Sequence, residues 1–280
     1  MARRPSFDDE PVSKLAAWSG RLGLFAFAVA ALSVIILRSG LLEIVPALAT
    51  FAAALIFAGL AILLAFASFV VIWRQGLSGL GYSLLGLLLG LLLLAYPGYL
   101  GYRASKLPAI NDITTDPANP PRFDVLARLR PRGRTEYPGA ATAERQRAAY
   151  PDIVPLQLAV PPKSAYDVAL AIATKRKWLL VDSRPPLPGR HDGVIEAVAR
   201  TLIMGFRDDV VIRISPLRDG ARVDLRSASR YGTHDFGANA ERLRALLEDI
   251  DEAANSLPEP RAEEPKKESP APKRQPANRR

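Results

Sequence analysis

The sequence predicts an all-α N-terminal region of three transmembrane helices. A soluble α+β two-layer domain with a mainly antiparallel sheet is predicted to follow it. Residues 18–102 contain three apolar runs with almost no charge, each long enough to form a membrane-spanning helix. Beyond them, strand-like alternation of apolar and polar residues is followed by a helical apolar stripe. The residues divide into a cytoplasmic segment (1–17), the membrane region (18–102), the soluble domain (103–255) and a basic tail (256–280) predicted to be disordered.

The apolar runs cover residues 22–37, with Trp18 just ahead of them, 44–73 and 77–102. A cleaved signal peptide is the alternative for the first run, but no small-x-small cleavage site follows it, so an uncleaved helix is favoured. Basic residues near the helix ends favour a cytoplasmic N-terminus. One side would carry Arg3, Arg4, Lys14, Arg21 and Arg74, and the other Arg38, Arg103 and Lys106. An inner-membrane, multi-pass protein with a periplasmic soluble domain is therefore expected in a Gram-negative bacterium.

The interiors of these runs indicate an anchor. Neither 44–73 nor 77–102 contains a charged residue, whereas transporters and proton relays carry intramembrane charge. Gly86 and Gly90 form a GxxxG motif, which predicts either a packing seam inside the bundle or a homo-oligomer face. Pro97 is expected to end or kink the third helix.

The soluble part begins with an irregular segment, 108–134, rich in Pro, Asp, Asn and Arg. The first soluble helix is expected to have Ser164 as its N-cap and Asp167 as a capping-box acid. Strands are predicted at 153–160, 178–181 and 194–204, a hairpin at 210–214 and 223–227 with its turn at 216–220, and a second helix at 235–254.

Several separated motifs in this part resemble one bacterial family. They are RDDVVIR at 207–213, VDLRSASRYG at 223–232, DFGANAER at 235–242 and INDITTD at 110–116. Together they are similar to the domain of unknown function 1499, over residues of about 110–250. The resemblance implies an envelope-associated domain outside the membrane, and it implies no activity.

Charged residues are predicted to share one face of the sheet. By alternation, Arg222, Asp224, Arg226 and Arg230 lie together, with Asp209 and Arg213 opposite them and Glu196 and Arg200 one strand further. One interpretation is a solvated ladder of ion pairs, which stabilises little. The other is an arginine-lined site for a carboxylate, a phosphate or a lipid headgroup.

The strand-to-helix junction at 226–242 is a second candidate, because free backbone N–H groups there could hold an anion. The alternative is structural: Asp235 caps the helix, and Asn239 or Arg242 ties the loop to the sheet. The predicted ligand-binding residues of both regions are Arg213, Arg226, Ser227, Ser229, Arg230, Asp235, Asn239 and Arg242.

The residue types exclude several chemistries. The chain has no cysteine and only two histidines, His191 and His234, which excludes thiol catalysis and multi-histidine metal sites. We expect no catalytic residue, metal or cofactor, and no nucleic-acid partner, because the basic residues are scattered. The first hypothesis is a non-catalytic envelope module that binds a protein, an anionic lipid or a small anion. The alternative is a hydrolase using Ser227, Ser229, His234 and Asp235.

Overall fold

The computed structural model describes residues 11–40, 43–130, 135–187 and 192–257. Three predictions fall at least partly outside them: the cytoplasmic N-terminal segment, the disordered tail and any role of His191.

Three N-terminal helices are long and apolar enough to cross a membrane, which suggests a membrane protein. They are α1 (Lys14–Ser39), α2 (Ile44–Gln75) and α3 (Leu80–Lys106). The three predicted helices are thus confirmed. Pro97 was expected either to end or to kink the third helix. It does not end it, because α3 continues through Pro97 to Lys106.

Small residues bring the three helices together. A Cβ on Gly86 would clash with Ser19 of α1, and one on Gly90 would lie 2.6 Å from Cγ1 of Ile62 in α2. The Ser19 hydroxyl donates to the Ala61 carbonyl at 2.9 Å. Both glycines therefore pack inside the bundle, as one of the two interpretations predicts. A homo-oligomer through the same residues stays a prediction.

The soluble domain is built on an antiparallel six-stranded sheet with the order β1-β6-β5-β4-β3. The sixth strand, β2, pairs with the same edge of β6 as β1 does, but nearer to the start of β6. The α+β fold class is confirmed. The strands are β1 (Asp112–Thr114), β2 (Leu156–Leu158), β3 (Leu179–Arg184), β4 (Gly193–Arg200), β5 (Arg207–Leu217) and β6 (Gly220–Ser229).

The hairpin of β5 and β6 is the centre of the sheet and agrees with its prediction. Leu217 pairs with Gly220 across a two-residue turn, within the expected turn segment. Ile212 pairs with Leu225, and both side chains are buried in the main core. Alternation of apolar and polar residues thus predicted the two strands and their buried sides correctly.

One face of the sheet is covered by two helices, α6 (Pro162–Lys175) and α7 (Ala238–Asn255), which bury the main apolar core. The prediction that Ser164 is the N-cap of α6 is wrong, because Ser164 lies in the first turn of this helix. The helix begins at Pro162 after Pro161, because proline has no N–H to leave unpaired and its fixed φ suits the first helical position.

The opposite face is covered by part of the segment 108–134, which was predicted to be irregular. This segment contains β1, which pairs with the edge of β6, and a short helix, α4 (Val125–Leu129), which packs on the sheet; a second short helix, α5 (Ala140–Ala149), follows it. A second apolar cluster forms there around Phe123, Leu126 and Val211. Such short elements carry too little periodicity to be recognised from sequence.

The predicted strand at 194–204 ends earlier, at Arg200. Residues 201–206 form the β4–β5 loop, which is closed by a hydrogen bond between its two ends. The Thr201 N–H donates to the Phe206 carbonyl at 2.9 Å. The strand predicted at 153–160 is only β2, and that at 178–181 extends as β3 to Arg184.

The domain contacts the bundle at the end where α1 and α3 finish. Arg38 in the last turn of α1 donates to the Leu202 carbonyl at 2.5 Å. At α3, Arg103 forms an ion pair with Glu241 in the first turn of α7 at 2.6 Å. These contacts hold the sheet close to the helix ends.

Candidate ligand cleft and the charged sheet face

The charged face of the sheet has the predicted layout. Arg213 on β5 pairs in register with Asp224 on β6, and Arg226 on β6 lies opposite Val211. Glu196 on β4 also pairs with Val211 and so shares this face. Alternation along the strands therefore located these side chains correctly.

The face is buried, however, and the interpretation as a solvated ladder is wrong. Glu196 and Asp209 are fully buried, and Asp224 and Arg226 are each 1% exposed. The segment with α4 excludes water from them. Charges in such surroundings are tolerated only when they are paired and hydrogen-bonded, and each of these has partners.

Arg226 has the most contacts of this group. Its Nε and Nη2 donate to the two carboxylate oxygens of Asp112 at 2.9 and 2.8 Å, and its Nη1 donates to the Pro121 carbonyl at 3.1 Å. The guanidinium carbon lies 4.5 Å from the ring centroid of Phe123. Arg226, which was predicted to bind an anionic ligand, thus binds a carboxylate of its own chain.

Two further carboxylates bind the neighbouring arginines. Asp224 accepts from Arg213 at 2.8 Å and from Arg222 at 3.1 Å. Arg222 also contacts Asp116 at 2.6 Å. Two acids and two guanidinium groups thus form one cluster, which joins the first residues after β1 to the centre of the sheet.

Asp209 is shared by two arginines. Arg130, just after α4, contacts it at 2.5 Å, and Arg230, just after β6, at 2.7 Å. Arg130 also donates to the Ala228 carbonyl at 3.2 Å. Asp209 therefore fixes both the end of the covering segment and the chain that leaves β6.

Glu196 performs a different task from the cross-strand pairing that alternation predicts. Its Oε1 accepts from the amides of Asp124 and Val125 at 2.8 and 3.1 Å, and its Oε2 from that of Leu126 at 2.7 Å. These are the free amides at the start of α4. A strand carboxylate thus caps a short helix about 70 residues away in sequence.

The other face of the sheet carries a separate polar network at the start of α7. The Ser227 hydroxyl donates to Oδ1 of Asn239 at 2.7 Å, and Nδ2 of Asn239 donates to the Ser229 hydroxyl at 2.9 Å. Arg242 donates to the Ser227 hydroxyl at 2.9 Å and to Asp208 at 2.6 Å. This network ties α7 to β5 and β6, as the structural alternative predicts.

Asp235 binds the backbone at the start of α7. Its carboxylate accepts from the amides of Gly237 and Asn239, both at 2.9 Å. Burial raises the pKa of Asp235 above its ordinary 3.8, although these hydrogen bonds act in the opposite direction. Asp235 therefore binds amides at the start of α7 from two residues before its N-cap, Gly237. The predictions that Asp235 is the N-cap residue and that the helix begins at 235 are wrong, because α7 begins at Ala238.

His234 is not joined to a serine. Its Nδ1 accepts from the Phe236 amide at 2.9 Å, and its ring stacks on that of Phe236 with the centroids 4.7 Å apart. Its Nε2 is buried without a hydrogen-bond partner among the described residues. Ser227 and Ser229 instead bind Asn239, so this geometry does not assemble a nucleophile with its base.

The eight predicted ligand-binding residues therefore divide between two faces of the sheet. Arg213, Arg226 and Arg230 lie on the charged face. The others, Ser227, Ser229, Asp235, Asn239 and Arg242, lie at the start of α7. Ligand binding by either group stays a prediction.

A cleft of about 330 Å³ lies at the β1 edge, between the two regions. Among the predicted residues, Ser229 lines it. Its polar wall also includes Asn111, Asp112, Arg130, Glu136, Thr142 and Thr233, and its apolar wall includes Ala109, Ile110, Pro138 and Ala228. Sequence reasoning missed Thr142 and Arg130, because they come from separate segments with no shared motif. Thr233 lies within the predicted junction at 226–242 but was not among the residues selected from it. Only the fold brings them together.

The described residues contain no cluster of three or more His, Asp or Glu side chains that could hold a metal ion. The carboxylates of the charged face are each bound to an arginine or to backbone amides, as described above.

Residues 112–250 match the family model described as "Protein of unknown function (DUF1499)", which confirms the predicted resemblance. The match extends from β1 to α7 and so covers the soluble domain. No curated protein matches the chain.

Proposed function

We propose that the chain, whose residues 112–250 match the DUF1499 family, is a non-catalytic binding module of the cell envelope, in which an inner-membrane anchor holds the domain on the periplasmic side. The ligand is a phosphate- or carboxylate-bearing group, carried by a lipid headgroup or by a free anion. It binds in the cleft at the β1 edge.

The observation that carries this proposal is the position of the cleft beside the membrane anchor. Ala109, in its wall, follows the end of α3 at Lys106 by three residues, which is at most about 11 Å of extended chain. A cleft at that height can reach lipid headgroups. The contacts of Arg38 and Arg103 with the domain keep it there.

The lining of the cleft fits an oxyanion. Arg130, which is also bound to Asp209 and to the Ala228 carbonyl, contributes one edge of its guanidinium group, while Ser229 and Thr233 contribute hydroxyls. The negative charge of Asp112 is balanced by its bidentate bond to Arg226. Glu136 also lines the cleft but is exposed, so its charge is screened by water.

Thr233 offers a direct test because it is exposed and lines the cleft. We expect Thr233→Lys to strengthen binding and Thr233→Asp to weaken it, each by about three- to tenfold in Kd, since a unit charge near a half-solvated anion is worth about 1 kcal/mol. Binding of short-chain phosphatidylglycerol, and separately of inorganic phosphate, is measured on the full chain in detergent micelles.

Thr174→Lys and Thr174→Asp are the matched controls, because Thr174 is exposed at the end of α6 and outside the cleft. Neither should change binding. Retention of phosphatidylglycerol alone assigns the ligand to lipid, whereas binding of phosphate alone assigns it to free anions. Equal affinities of the two Thr233 variants for both probes would refute the anion site.

Placement in the periplasm is tested separately by reporter fusions after Lys106 and after Asn255. Both fusions should be active with a reporter that works only outside the cytoplasm. Cytoplasmic activity of either fusion would overturn the orientation, because the described residues after α3 contain no further helix that could span the membrane.

A further inference from the structure

The β4–β5 loop, residues 201–206, exposes apolar side chains at the end of the helix bundle. Leu202 is 90% exposed and Ile203 is 38% exposed. Loops of soluble domains are ordinarily polar, and a leucine this exposed beside another exposed apolar residue marks an interaction surface. The position of this loop indicates which surface it meets.

The loop lies directly against the last turn of α1. Nη1 of Arg38 donates to the carbonyls of Leu202 and Ile203 at 2.5 and 3.2 Å. A Cβ on Gly205 would lie 3.0 Å from Cγ of Arg38, so the backbone of the loop touches that side chain closely. Glycine is also required there because its φ is +70°.

Arg38 marks the height of the membrane boundary on α1, because the helix is uncharged from Leu22 to Leu37. A loop bound to Arg38 must therefore lie at that height. Its two carbonyls accept from the guanidinium group, which lowers the cost of removing them from water. The apolar side chains of the loop remain free to contact lipid.

The residues around the loop are also typical of an interface. The Phe206 ring lies 6.4 Å from that of Tyr231, which is 43% exposed. Arg207, at the start of β5, is exposed beside them. Aromatic rings and arginine side chains are enriched where a protein meets headgroups.

We infer that the β4–β5 loop inserts Leu202 and Ile203 into the lipid–water interface of the membrane that anchors the chain. The loop would thus form a second attachment of the sheet, after the covalent link at α3. This inference does not depend on the cleft or its ligand.

The absence of cysteine allows a site-specific test in the full chain. Leu202→Cys is labelled with an environment-sensitive fluorophore and placed in nanodiscs that contain one chain each. Leu217→Cys is the matched control. It is also exposed, at 42%, but lies at the far end of β5, about 33 Å along the strand.

We expect lipid-attached nitroxide to quench the label at residue 202 several-fold more than that at 217, and aqueous iodide to show the opposite preference. Emission at 202 should be shifted to the blue. Equal quenching at the two positions by both agents would overturn the inference. Protection of residue 202 that requires two chains per disc would also overturn it, because a second copy would then cover the loop.

Discussion

Arg226 and Asp112 form a bidentate ion pair inside the domain, with two N–H groups of one side chain bound to both oxygens of the other. The pair joins the centre of β6 to β1, the first strand after the membrane anchor. Asp112 also borders the cleft. A buried contact thus positions one wall of the proposed ligand site.

Arg226→Leu should lower the free energy of unfolding of the domain by about 3–5 kcal/mol, because Asp112 would remain buried without a partner. The double variant Arg226→Leu/Asp112→Leu should recover much of the loss. Fluorescence of Trp178 during urea unfolding measures it, in a background with Trp18 and Trp73 replaced by Phe.

Lys163→Leu serves as the matched control, since Lys163 and Asp167 form an ion pair with side chains 64% and 52% exposed. Its removal should change stability by less than about 1 kcal/mol. An effect of Arg226→Leu no larger than that of the control would show that the buried pair is unimportant for stability.

Glu196→Gln should lower the free energy of unfolding by about 1–3 kcal/mol. Three amides at the start of α4 point at the two carboxylate oxygens of Glu196, and glutamine offers only one acceptor oxygen. The exposed Glu248→Gln is the control. Increased hydrogen exchange at residues 124–126 should accompany the loss, and unchanged exchange there would contradict the capping role.

Asp235→Asn should change the pH dependence of stability in a defined direction. Since burial raises the pKa of Asp235 above 3.8, the folded protein binds its proton more tightly than the unfolded chain does. The stabilising contribution of this carboxyl is therefore fully present below pH 3.8 and is lost as the pH rises through the raised pKa.

Relative to the wild type, the Asp235→Asn variant should thus lose less stability across that window. Unfolding of the two proteins is compared in urea at several pH values from the ordinary pKa upward. A difference that does not depend on pH would show that Asp235 has the same pKa in both states. The comparison removes the contributions of the other carboxyl groups.

The sequence allowed the membrane helices and the central hairpin to be predicted because their signals are local. Uncharged length identifies α1 to α3, and alternation identifies β5 and β6. The charged face followed from the same alternation, but its burial did not. Burial results from the segment with α4, and the cap that holds α4 comes from Glu196, far along the chain.

The candidate cleft shows the same limit. Ser229 was identified from its strand-to-helix junction, whereas Arg130 and Thr142 have no motif that links them to it. The predicted residues of the two regions lie on two faces of the sheet, because successive residues of β6 point to opposite sides. Contacts between distant segments decide both the lining and the pairing of charges.

Tyr137 should titrate at unusually high pH and respond to Asp112. Burial, and then the negative charge of Asp112, raise the pKa of Tyr137 from 10.0 to about 12, while Arg226 acts in the opposite direction. The neutral phenol therefore stabilises the fold fully below pH 10, and this contribution is lost as the pH rises through about 12.

Near-ultraviolet absorbance of the phenolate, compared between the wild type and Tyr137→Phe, isolates this one titration. In Asp112→Asn the pKa of Tyr137 should fall, because the raising influence of the carboxylate disappears while the guanidinium group of Arg226 remains. An unchanged titration in Asp112→Asn would contradict this prediction, because the Asp112 carboxylate would then make no contribution to the raised pKa of Tyr137.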